Sequence, residues 1–259
     1  MSLAIQKVDL IDSLAVWRRN LRVYLRLWKT ELVVPIIEPI FTFFAFGFGV
    51  GALVTSQVEG LSYLLFVGAG VLAFTVLMRT IFEMTYGAYF RMVYQSTYDA
   101  ILATPVNAAS LAFGEILWAV TKGAVDCFFI LPLVVIFGSA TSLLTPLSIL
   151  PLVVGCVYLG SLGLAITAHV TEIDYFNIFF ALFFSTLFLC GAWFPIELLP
   201  FWLQIIAYII PTTSVIDLCR ACLTGNFASK HIYEAIYLIF ISSLLLEWAL
   251  RSIKKRMVV

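Results

Sequence analysis

The chain has 259 residues, of which 63% are hydrophobic and 12% charged, with 15 basic and 15 acidic side chains and a formal net charge of zero. A soluble domain carries about 25% charged and about 45–50% apolar residues. This composition excludes a soluble enzyme, a disordered tail and a basic nucleic-acid binder, and leaves a polytopic membrane protein of one domain.

The N-terminal segment holds several charges ahead of the first apolar run, and no small-residue cleavage site follows that run, so it does not read as a cleaved signal. Residues 12–29 are expected to form an amphipathic helix on the membrane surface. At about 100° per residue, Leu14, Trp17, Leu21, Tyr24, Leu25 and Trp28 share one face, and Arg18, Arg19, Arg22, Arg26 and Lys29 share the next. Asp12 or Ser13 is placed to cap its start. Six apolar stretches follow, at 32–54, 61–78, 111–137, 143–168, 175–193 and 232–250. They approach the roughly 20 residues needed to cross about 30 Å of hydrocarbon. Their continuity selects helices over a barrel, the two structures that satisfy the backbone in lipid.

Between the second and third stretches, residues 79–110 form the longest connection expected on the cytoplasmic side. Tyr89–Leu102 is moderately apolar but too polar to span, and Pro105 ends whatever helix precedes it. A short helix presented to the cytoplasm is expected there. Residues 191–230 are apolar yet interrupted by Pro195, Pro200 and Pro211. The piece 201–210 reaches about 15 Å as a helix, half a bilayer, which suggests a re-entrant or lid-like helical hairpin.

Charges inside spans cost about 2.5–3.5 kcal/mol each at a helix centre, so they should face protein or water. Glu38 lies in the first span, Glu115, Lys122 and Asp126 in the third, and Glu247 near the inner end of the sixth. Glu115, Lys122 and Asp126 fall on one helical stripe. Spacing by four allows Lys122 to pair with Asp126, and Arg79 with Glu83. The stripe is either the lining of a translocation path or gate, or a neutralised set that orients helices. Arg79 and Glu83 favour the second reading.

Lys7, Arg18, Arg19, Arg22, Arg26, Lys29, Arg79, Arg91, Arg251, Lys254, Lys255 and Arg256 all fall on one side of this topology, against Arg220 and Lys230 on the other. Both termini are therefore expected in the cytoplasm. His169 and His231 are far apart, no H-E-x-x-H or G-x-S-x-G occurs, and the absence of any Gly-Lys pair rules out a phosphate-binding loop. No catalytic residue, metal site or cofactor is expected in this chain. Cys219 and Cys222 form a CxxC with no second CxxC to support a metal or redox site.

Several local patterns occur in a recognisable order: Val16-Trp17-Arg18-Arg19-Asn20, Glu38-Pro39, Leu102-Ala103-Thr104-Pro105, Gly114-Glu115, and Phe194-Pro195 through Leu199-Pro200 to Trp202-Leu203-Gln204, then Pro211 with Asp217 and Arg220. Over nearly its whole length the chain resembles a permease of the ABC type-2 exporter family. Within that family it resembles the lipooligosaccharide (nodulation-factor) branch, with drug and polysaccharide exporters as relatives.

The resemblance implies an all-α fold with six transmembrane helices, an N-terminal interface helix and outer re-entrant helices. It implies a pair of permease copies served by separate ATPase subunits that hold ATP and Mg, in the bacterial inner membrane. Residues 91–104 would be the coupling helix, with Arg91, Tyr94, Gln95, Tyr98, Asp99, Thr104 and Pro105 at the ATPase. Trp17, Arg18, Arg19, Arg22 and Arg26 would mark the interface helix. Phe194, Pro195, Pro200, Trp202, Pro211 and Arg220 would belong to the outer helices of 194–220. Spans one, two and five would flank the path, with Glu38, Glu115, Lys122 and Asp126 as gate candidates. Cys190-Gly191 departs from the Ser-Gly often seen at that point. The expected partners are the ATPase, a second copy, membrane lipids and an amphiphilic substrate, with no nucleic acid. The alternatives are a secondary transporter driven by an ion gradient, which would depend on Asp126, and a non-catalytic membrane scaffold.

Overall fold

The computed structural model describes residues 8–54 and 57–257. Lys7 lies outside them. Apart from an antiparallel pairing of Val58 with Leu61, the described residues form helices and turns. Helix α1 (Leu10–Thr42) continues through wide π turns at Phe43–Val50 and a tight turn at Gly51–Leu53. Helix α2 (Tyr63–Phe82) continues through π segments at Glu83–Gly87 and Phe90–Tyr94. Then come α3 (Thr97–Leu102), α4 (Ala108–Ile136), α5 (Ile149–His169), α6 (Tyr175–Leu189), α7 (Phe201–Ile209), α8 (Pro211–Thr224) and α9 (Lys230–Met257).

Among the described residues, five continuous helices are long and apolar enough to cross a membrane: Leu10–Leu53, Tyr63–Tyr94, Ala108–Ile136, Thr145–His169 and Lys230–Met257. The pair α7–α8, bent by 82°, makes a sixth if taken as one span. The expected all-helical membrane fold is borne out. The stretch expected at 175–193 is shorter than anticipated: α6 has 15 residues, about 22 Å.

Two boundaries need correction. The surface helix expected at 12–29 is not a separate element, because α1 runs unbroken into the first apolar stretch. No glycine or proline interrupts residues 10–34, so nothing stops the helix there. Its cap is Asp9, whose side chain accepts from the Ile11 and Asp12 backbone N–H groups, rather than Asp12 or Ser13. The connection expected to begin at Arg79 begins instead after Tyr94. The charges that seemed to end the second span are paired by neighbouring helices, so the helix carries them inward.

Helix α2 is the central element. Phe66, Val67, Ala69, Val71, Leu72, Ala73, Val76 and Leu77 are fully covered by helices that include α4, α5 and α8. Small residues permit this closeness, as is general where helices meet in lipid. At Gly70 an added Cβ would lie 2.1 Å from the Ala192 carbonyl oxygen, in the segment after α6. At Gly114 it would lie 2.6 Å from the Ser13 carbonyl oxygen, where α1 crosses α4. Because the Gly70 obstacle is backbone, Gly70→Leu is expected to lower the thermal unfolding midpoint in detergent by about 5–10 °C. Gly49→Ala, whose nearest neighbour is the Phe44 carbonyl oxygen at 3.4 Å, should leave it nearly unchanged.

Candidate functional site

Three chain segments deliver charge to one place. Helix α4 presents Glu115, Lys122 and Asp126. Helix α2 and its π continuation present Arg79, Glu83 and Arg91. Helix α1 presents Glu31. Arg79 Nε donates to Asp126 Oδ2 at 2.7 Å, and Arg79 Nη2 reaches Glu31 Oε2 at 3.3 Å. Lys122 Nζ lies 2.7 Å from Glu83 Oε2 and 2.8 Å from Glu31 Oε2. Arg91 bridges Glu83 Oε1 and Glu115 Oε2, each at 2.7 Å. The amide of Asn20 donates to Glu115 Oε1 at 3.1 Å, and the Trp118 indole donates to Glu83 Oε1 at 3.2 Å.

The pairing overturns both expected partnerships. Lys122 does not pair with Asp126, and Arg79 does not pair with Glu83. Spacing by four makes two side chains neighbours on one helix surface, but here each charge turns toward an oppositely charged group on another helix. The π turns contribute to this arrangement. Residues eight apart on a regular α-helix diverge by about 80°, whereas the wider turns bring Arg91 into line with Glu83.

The network forms one wall of a cleft of about 510 Å³. Glu31 and Glu38 of α1, Phe74, Arg79 and Phe82 of α2, Glu83, Lys122 of α4 and Phe184 of α6 line it. Of the gate candidates, Glu38 and Lys122 face this space, while Glu115 and Asp126 are fully buried behind it. Glu38 has no ion-pair partner among the described residues. An aromatic stack fastens α6 to this wall: Phe82 and Tyr86 lie over Phe180 with centroids 4.5 and 5.4 Å apart. The sequence reading missed Glu31, Asn20 and the phenylalanine lining. Glu31 precedes the first apolar stretch by one residue and looked like part of the charged surface segment.

On the side of the cleft where α2 ends, residues 91–104 are two elements divided at Ser96, whose φ of 47° is left-handed. Arg91 lies in the last turns of the α2 continuation and is held inside. Tyr98 of α3 is fully buried, and burial pushes its phenol pKa upward. Tyr94, Gln95, Asp99, Thr104 and Pro105 are exposed. Arg19 Nη2 lies 3.4 Å from Thr97 Oγ1, tying α1 to α3. Trp17 is anchored through its indole to Thr121 Oγ1 at 2.9 Å, while Arg18, Arg22 and Arg26 point outward.

At the other end, Arg220 is the buried anchor of α8. It pairs with Asp217 Oδ1 at 2.7 Å, donates to the Gly191 carbonyl at 2.6 Å and stacks over the Phe66 ring at 4.0 Å. Pro195 and Pro200 flank a single tight turn, Pro211 opens α8, and Trp202 on α7 is exposed. Phe194 is half-buried beside Trp193, which stacks on Phe46 at 4.3 Å. The sequence reading did not single out Trp193. Cys219 and Cys222 are buried and unpaired. No grouping of three His, Cys, Asp or Glu suited to a metal occurs among the described residues.

An all-helical membrane fold built around a charged intramembrane cleft defines a membrane transport component. Residues 13–224 match the ABC-2 type transporter family, and the chain belongs to it. Nodulation protein J of Rhizobium leguminosarum bv. viciae is 33% identical over 218 residues, 83% of each chain. Nodulation protein J of Rhizobium meliloti (strain 1021) is 32% identical over 216 residues, 82% of this chain and 81% of that one. No solved structure matches.

Removing one member of a buried ion pair strands the other, at about 3–5 kcal/mol, whereas replacing both by apolar groups is often neutral. Asp126→Asn and Arg79→Met are each expected to reduce thermal stability in detergent. The double variant Arg79→Met/Asp126→Leu should recover much of the loss, because Glu31 keeps Lys122 as a partner.

Proposed function

We propose that the chain is the membrane-spanning subunit of an ATP-driven exporter that works as two permease copies with separate ATPase subunits. Its substrate is an amphiphile: a lipooligosaccharide, a lipid-linked glycan or a hydrophobic drug. The observation that carries this reading is the cleft beside α1, α2 and α6. It sets carboxylates and a lysine against phenylalanine walls within helices otherwise suited to hydrocarbon. A polar head has partners there, and an acyl chain has an apolar surface beside it. A cleft this open at membrane depth needs a cover, and a second copy supplies one.

ATP and Mg belong to the partner. Its contact surface on this chain is the exposed part of the turn and α3, with Tyr94, Gln95, Asp99, Thr104 and Pro105 at the docking face. Arg91 and Tyr98 act from inside as positioning residues, fixing α3 to the bundle so that its displacement reaches the cleft wall. Both termini lie in the cytoplasm, the membrane is the bacterial inner membrane, and α7–α8 form a re-entrant closure on the outer side. The lipooligosaccharide substrate draws support from the nodulation-protein relatives. The ion-gradient alternative draws little, since Asp126 is held by Arg79 away from the cleft.

The test is co-purification with a candidate ABC ATPase subunit, followed by ATPase and transport assays in proteoliposomes. Tyr94→Ala/Asp99→Ala is expected to lower permease-stimulated ATP hydrolysis at least about tenfold, the scale of a lost hot-spot contact of about 1.4 kcal/mol or more. Glu38→Gln should impair transport and leave assembly intact. Transport that ignores ATP and collapses with an uncoupler would refute the proposal.

A further inference from the structure

Three carboxylates line the cleft, and they are not equivalent. Glu31 and Glu83 each meet a cation within 3.3 Å, whereas Glu38 meets none among the described residues. Glu38 stands seven residues beyond Glu31 on α1, about two turns and roughly 10 Å farther along the axis on the same side. Its backbone carbonyl accepts from Thr42 Oγ1 at 2.8 Å, but its carboxylate accepts from no described residue. The rings of Phe74, Phe82 and Phe184 line the same space.

The cations of the wall are already committed. Lys122 Nζ serves Glu83 and Glu31. Arg79 Nε serves Asp126, and Arg79 Nη2 serves the Glu31 side chain and also the Glu31 backbone carbonyl, at 3.1 Å. Pro35, four residues on, has no N–H to give that carbonyl, so the guanidinium takes the place of the missing helical donor. Arg91 is divided between Glu83 and Glu115. The network and Glu38 together set five carboxylates against three cations. An entering head therefore meets a negative excess, and the spare acceptor is Glu38. A carboxylate without a partner at this depth is costly, and a ligand cation would remove that cost. Aromatic faces attract a cation as well.

We infer that the cleft selects an amphiphile with a cationic nitrogen in its head, that Glu38 is the counter-ion of that cation, and that heads bearing phosphate are turned away. The inference rests on the cleft being the substrate path, as proposed above, and narrows what can use it. The cation sits between the Glu38 carboxylate and the phenylalanine rings, while the apolar part of the molecule lies along α1 and α6. A phosphate there would face Glu38 with no uncommitted lysine to receive it. Glu38 is thus a specificity-determining residue, and Lys122 and Arg79 hold the wall without binding the head.

The test uses the full chain in phosphatidylcholine nanodiscs and a pair of probes of like size and shape but opposite charge, tetraphenylphosphonium and tetraphenylborate. Equilibrium binding is measured with empty nanodiscs as the blank for partition into lipid. The chain is expected to bind tetraphenylphosphonium saturably and tetraphenylborate no better than the blank. Dodecylamine should displace the bound cation, and dodecyl phosphate should not. Losing the counter-ion of a desolvated cation costs at least about tenfold in affinity, so Glu38→Gln should weaken tetraphenylphosphonium binding by that factor, and Glu38→Asp should keep most of it. If Glu38→Gln does not fold, Phe184→Leu decides, with an expected loss of about threefold or more. Cation binding no greater than the blank would overturn the inference. So would equal binding of the two probes, or an unchanged affinity in the Gln variant. The assay contains neither ATP nor an ATPase, so its failure leaves the energy source untouched, and transport that ignored ATP would leave the cation site standing.

Discussion

Arg91 sits where the charged network branches. One amino group of its guanidinium holds Glu83 and the other holds Glu115. Glu83 passes the connection to Lys122, Lys122 to Glu31, and Glu31 to Arg79 and Asp126. Apart from Arg91 with Glu83, each link joins segments that the chain alone does not hold together: α1 to α2, α2 to α4, and α4 to α1. Three cations and four carboxylates in a bundle of apolar helices are tolerable only because nearly every one meets an opposite charge within hydrogen-bonding distance. The arrangement therefore specifies register. Sliding α4 by one residue against α2 would leave charges unpaired at a cost that hydrophobic packing in lipid does not offset.

The aromatic and glycine contacts act within that register. Gly70 and Gly114 let backbone come close to backbone, and the stack of Phe82, Tyr86 and Phe180 fastens α6 to the central helix. At the far end Arg220 repeats the same solution on a smaller scale, held by one carboxylate, one carbonyl and one ring. These contacts hold the walls of the cleft at a fixed spacing, which the charged network alone would not do.

Much of the fold was legible in the sequence because hydropathy is a one-dimensional signal. Apolar stretches became helices near the expected positions, and the prolines at 195, 200 and 211 marked real breaks. Partnerships were not legible. Spacing along one helix suggested Lys122 with Asp126 and Arg79 with Glu83, whereas buried charge is neutralised between helices, through contacts that spacing does not encode. The same blindness hid the length of α2. Arg79, Glu83 and Arg91 looked like the end of a span because a hydropathy window counts charges without their partners. Tyr98 illustrates the opposite error. The family resemblance put it with Asp99 at the ATPase contact, yet packing turned it inward and left Asp99 outside.

The shortness of α6 has a consequence for the surrounding lipid. A bilayer whose hydrocarbon is about 30 Å thick meets there a helix of about 22 Å, and such a mismatch is accommodated by local thinning. The pinch falls beside Phe184, on the edge of the cleft. In the proposed export, a polar head passing that edge would have a shorter stretch of oil to cross than in the undisturbed bilayer.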